Sequence, residues 1–159
     1  MSSIPAGTPI IGGWHVAEGT TVTYHELPPV GGYHYPVWAM WGTHTDAVPH
    51  PYLVHNEEHG GILLLYNCPS GCPALVTQLQ GIIDSQAQDP FCAEEGTGVT
   101  ARVLLTPDPT LDVTFAAASW GWWYKPGGDG GVSTDAVQAF VDAHSGNGRE
   151  QECAQGSYQ

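Results

Sequence analysis

Positive charge is almost absent from this chain: three Lys and Arg stand against sixteen Asp and Glu in 159 residues, a net charge of -13. Such a surface repels duplex nucleic acid and anionic membranes, and no nucleic-acid partner is expected. No run of about 18 apolar residues is present, so no transmembrane helix and no direct membrane insertion are expected. The first residues, Met1-Ser2-Ser3-Ile4-Pro5, carry neither the basic nor the apolar stretch of an export signal. A chain whose leader or anchor had been removed would read the same way. There is no Gly-x-Ser-x-Gly, and residues 127–131 lack the Lys and Ser/Thr of a phosphate loop. Neither a hydrolase nucleophile elbow nor a nucleotide site is therefore expected.

What is present suits a single domain over residues 1–159, with an extended arm at 1–14 and a polar tail at 147–159. Residues 20–26 are β-branched and aromatic and read as a strand. From 30 to 51 the composition is that of a loop, but it carries Tyr33, Tyr35, Trp38 and Trp41, as a loop folded over a core would. Pro51 and Gly60 bracket a short helix over 52–59, and Ile62-Leu63-Leu64-Leu65 reads as a strand buried on both faces. Leu75, Val76, Leu79, Ile82 and Ile83 recur at helical spacing, and Ser133 or Thr134 caps a last helix. Residues 99–105 and 113–123 read as two strands of a hairpin joined by Pro107-Asp108-Pro109. The class expected is α+β: a mainly antiparallel sheet, two or three packed helices and a long aromatic-rich loop.

Four cysteines allow three full pairings. Cys68 and Cys72 flank a turn between a strand and a helix, a position that suits a structural bridge, a redox dithiol or a pair of thiolate ligands. Bridging Cys68 to Cys72 leaves Cys92 to Cys153, which would tie the tail down.

The chemistry concentrates in His55-Asn56-Glu57-Glu58-His59. On a helix, His55 and His59 lie one turn apart, the spacing that lets two imidazoles hold one ion. Glu58 falls beside that face and Glu57 on the far side. His34, on a turn shaped by Gly31, Gly32 and Pro36, is the third ligand expected, and His15 the fourth. Imidazoles suit copper, zinc, nickel or iron, and Met40 would add a thioether that favours copper over zinc. His-x-x-Glu-His is also the inverted zincin pattern, in which Glu58 would act as the catalytic base of a zinc hydrolase.

Pro28-Pro29, Gly32, His34, Trp38, Gly42 and His55-x-x-Glu58-His59-Gly60, with the earlier His15-Val16, resemble the shared pattern of an uncharacterised bacterial family of exported or membrane-anchored domains of unknown function. The likeness spans roughly residues 14–76. It implies export and makes the four histidines one set, without implying an activity. Trp41 stands where many members have Cys, so any thiolate that those members use is absent here. The function expected is that of an exported multi-histidine metal protein, copper favoured, in trafficking or oxidative chemistry, with a small molecule or protein as partner. The alternatives are the zinc hydrolase, a non-catalytic partner-binding domain, and a thiol-disulfide protein using Cys68 and Cys72.

Overall fold

The structure, a computed structural model, describes residues 2–8, 12–127 and 131–159. Parts of the expected arm (1 and 9–11) and of the Gly-rich stretch (128–130) lie outside the described residues. Seven strands and four helices follow one another among the described residues: β1 (Ser2–Ser3), β2 (Thr23–Tyr24), β3 (Gly42–Thr43), α1 (His50–Glu58), β4 (Ile62–Tyr66), α2 (Pro73–Asp84), α3 (Pro90–Glu95), β5 (Val103–Pro107), β6 (Phe115–Ser119), β7 (Trp122–Tyr124) and α4 (Thr134–His144).

The main sheet runs β3-β5-β4-β6-β7. β4 takes β5 in parallel on one side and β6 antiparallel on the other. With β1-β2 and β6-β7, three of the five pairings are antiparallel, and the fold is α+β. Period-two alternation assigns each strand residue to a layer. Ile62, Leu64, Val103, Leu105, Phe115 and Ala117 pack under α2 and α4. Leu63, Leu65, Leu104, Ala116 and Ala118 face Leu53 of α1, Trp41 of the aromatic loop and Cys92 of α3.

Two expectations are corrected here. β5 and β6 do not form a hairpin, because β4 lies between them. A strand buried on both faces sits at the centre of a sheet and needs a partner on each edge, and β4 finds them in the two strands expected to pair with each other. The apolar run 113–123 is likewise two strands: β6 turns through Trp120-Gly121 into β7, with Gly121 at φ +84 and Ser119 opposite Trp122. Residue 90 also starts a helix, α3, that the loop-like composition concealed; Asp89 caps it by accepting from the N–H groups of Phe91 and Cys92.

The junction that places the helix α1 is tight. Gly60, at φ +83, ends it, and a Cβ on Gly61 would come within 2.5 Å of the Trp41 ring. Arg102, buried and paired with Asp89 at 2.9 Å, donates to the His59 carbonyl at 2.9 Å. The cysteines pair as Cys68–Cys72 and Cys92–Cys153. The tail lies across the aromatic loop, where Ala154 accepts from the indoles of Trp38 and Trp41 and Tyr158 stacks on Tyr52. No described helix is long and apolar enough to cross a membrane.

Candidate metal centre

Three segments converge on one point. Residues 14–16 and His34 are knitted by backbone hydrogen bonds, Val16 N–H to the His34 carbonyl at 2.8 Å and His34 N–H to the Trp14 carbonyl at 3.0 Å. This bridge sets the His15 and His34 rings 4.9 Å apart. α1 supplies the rest. With Leu53 fixed into the sheet, the 100° step turns His55, Glu58 and His59 to the opposite side, toward the loops.

His15, His34, His55 and Glu58 each offer one ligand atom within 4.8 Å of the others, a group that could hold a metal ion. The hydrogen bonds fix which atoms face inward. His34 Nδ1 lies 2.8 Å from the Gly32 carbonyl and His55 Nδ1 2.7 Å from the Tyr35 carbonyl. A carbonyl only accepts, so both Nδ1 atoms carry a proton, and each ring turns its Nε2 inward. Gly32, at φ +112, adopts the left-handed backbone that this turn beneath His34 uses.

A carboxylate also only accepts, so an imidazole nitrogen turned toward Glu58 needs a proton or a metal ion between them. His34 Nε2 sits 2.8 Å from Glu58 Oε2, and His15 Nε2, buried without a hydrogen-bond partner, lies 3.6 Å from the same oxygen. Such a group is stable only with positive charge among its members, either an extra proton or a metal ion. Burial pushes the His55 pKa down to about 3 and that of His59 to about 4, so both imidazoles are neutral, the form that ligates, at physiological pH. For Glu58 burial works to raise the carboxyl, but the His34 hydrogen bond and the imidazoles around it outweigh burial and hold it below its ordinary value.

Glu58 therefore stands among the converging atoms, closer in than a place beside the imidazole face. His59 sits at the edge: its Nε2 is 3.1 Å from His55 Nε2, and it groups with Glu58 and the exposed Glu150 in a second set of candidate ligands. Trp38 covers both rings, 4.9 Å from His55 and 4.5 Å from His59. On the Leu53 side of α1, away from the cluster, Glu57 is fully buried, and burial raises its carboxyl well above the ordinary value. Met40 lines a separate groove with His44 and Asp46. Of the remaining histidines, His50 pairs with Asp108 at 2.7 Å, His44 bonds the Met40 carbonyl and His144 stacks on Trp122.

Sequence reasoning missed Arg149, whose guanidinium lies 3.8 Å from Glu58 Oε1. Its place follows from the tail, where Glu150 N–H bonds the Glu58 carbonyl at 2.9 Å and Gly148 lies so close to that carbonyl that a Cβ would not fit. The only signal was its rarity as one of three cations. No curated protein and no solved structure shows significant similarity to the chain. Residues 15–157 match a family profile described as protein of unknown function (DUF3105), a range that contains every residue of the cluster. The chain belongs to that family.

Proposed function

We propose that this is an exported transition-metal-binding protein whose ion is held by His15, His34, His55 and Glu58, with His59 as a neighbouring imidazole. The observation that carries the reading is the convergence of three imidazole nitrogens and a carboxylate oxygen, with two Nδ1 protons already committed to backbone carbonyls. Carbonyl-anchored imidazoles of this kind are the usual support of metal-ligating histidines. The second set, Glu58, His59 and Glu150, is the weaker place for an ion, because Arg149 already brings a positive charge to that side of Glu58.

Three nitrogens and one carboxylate suit a divalent ion, and copper(II) heads the affinity order with zinc next. Met40, lining another groove, gives no support to copper(I). His15 is the least buried of the four, its side chain 27% exposed while that of His34 is fully buried. Two disulfides support an oxidising, extracytoplasmic home. The hydrolase reading is less well supported: Glu58 is held ionised against His34 and is a poor candidate for a free base.

The test is elemental analysis and competitive titration with copper(II) and zinc on untagged protein. One ion per chain is expected, with affinity falling about 100-fold or more in His34→Gln and in His55→Gln. Unchanged stoichiometry and affinity in both variants would remove the proposal.

A further inference from the structure

The three cations of the chain have unequal fates. Arg102 is buried and bonded to Asp89, the His59 carbonyl and Gln151. Lys125 donates to Asp112 and lies over Trp123. Arg149 makes no hydrogen bond to any described residue; its nearest anion is Glu58 at 3.8 Å, and its side chain is 45% exposed. The guanidinium is held by aromatic faces instead, 5.1 Å from the Trp14 ring and 5.8 Å from Trp120. A planar fork of five N–H donors is thereby positioned with no hydrogen bond to any described residue.

Those donors line a groove of about 680 Å³, walled by Trp14, Tyr33, Trp120 and Val30, with Glu26 also on its lining. Trp14 and Tyr33 pack 5.2 Å apart, and Trp120 meets Trp14 edge-on at 6.5 Å. The groove abuts the candidate metal centre. Trp14 precedes His15, Gly32 supplies the carbonyl beneath His34, and Trp120 stands edge-on to the His34 ring at 6.3 Å. Trp120 lies so close to Gly31 that a Cβ there would come within 3.3 Å of the indole.

We infer that this groove binds a small aromatic monocarboxylate, its carboxylate on the Arg149 guanidinium and its ring among Trp14, Tyr33 and Trp120, beside the ion. The placement beside an ion rests on the metal-binding reading; the groove's affinity does not. The volume suits a molecule of one or two rings. The fork, hydrogen-bonded to no described residue and paired with Glu58 only at 3.8 Å, matches one carboxylate bidentately, whereas a cation would oppose it and a neutral ligand would leave it unused. The chain's net charge of -13 disfavours a second negative charge on the ligand.

The probes are benzoate, benzamide and terephthalate, titrated calorimetrically and by tryptophan fluorescence into metal-free and zinc-loaded protein, with zinc binding measured on the same samples. Benzoate is expected to bind, benzamide and terephthalate about tenfold or more weakly, and Arg149→Gln to bring benzoate down to the level of benzamide. No benzoate binding by the wild type at about 1 mM, or benzamide binding as tightly as benzoate, overturns the inference without any variant. Equal benzoate affinity in Arg149→Gln, with its zinc binding retained, overturns it as well. Zinc uptake without benzoate binding removes this inference and leaves the metal reading. Benzoate binding that depends on Arg149, without zinc uptake, does the reverse.

Discussion

Asp108 shows how one residue can hold a junction together. It is buried where β5 ends, accepts from Thr110 at 2.6 Å and faces His50, the first residue of α1, at 2.7 Å. Burial works to raise its carboxyl, but the bond to His50 and the two from Thr110 outweigh burial and hold it below its usual 3.8. A carboxyl depressed in the folded state stabilises the fold above its unfolded value, and that stability is lost as the pH falls through the folded one. Asp108→Asn should therefore cost about 1–3 kcal/mol at pH 7. In urea unfolding over a pH series, the gap to wild type should close below about pH 3.8, as the wild-type carboxyl takes up its proton. A gap that stays constant with pH would remove the assigned role. None of this was legible beforehand, since His50 and Asp108 lie far apart in sequence and neither sits in a motif. His55 and His34 were legible for opposite reasons, one from helical spacing and the other from the glycines and proline around it. The inward place of Glu58 needed the fold, because periodicity puts it beside the imidazole face without saying that His34 comes across to meet it.

At the scale of elements, α1 and β4 act as one unit joined at Gly60-Gly61. The strand is fixed by its apolar contacts on both faces, and the helix leaves it at an angle that the Trp41 ring against Gly61 determines. Gly61→Ala should force that ring to move and cost about 1–3 kcal/mol, read as a lower Tm. It should also weaken metal binding, because His59 and Glu58 lie within one turn of the displaced junction; a variant with wild-type stability and affinity would show that the contact constrains nothing. The helix end reads well from sequence at Gly60, but the start lies two residues before the expected one, at His50, because Pro51 is tolerated within the first turn. Strand partners read poorly. The apolar content of 113–123 showed extended chain but hid the turn at Trp120-Gly121, and the pairing of β4 with both β5 and β6 depends on centrality, which local sequence does not encode.

Over the whole molecule, the Cys92–Cys153 bridge joins residues 61 apart in sequence and pins the tail against the aromatic loop. Closing a loop of that length is worth about 4 kcal/mol in chain entropy. Replacing both cysteines with serine should lower stability by about 2–5 kcal/mol in denaturant unfolding, and should weaken benzoate more than zinc, because Arg149 rides on the tail whereas three of the four proposed ligands do not depend on it. Equal losses for both ligands would mean that the tail organises the entire site.

The backbone bridge between residues 14–16 and His34 has a consequence for biogenesis. The imidazole contributed from the beginning of the chain and the guanidinium contributed from near its end meet at one helix whose own residues come from the middle. A chain docked only as far as this helix therefore already brings together His15, His34, His55 and Glu58, whereas the groove beside them is complete only once Arg149 has docked.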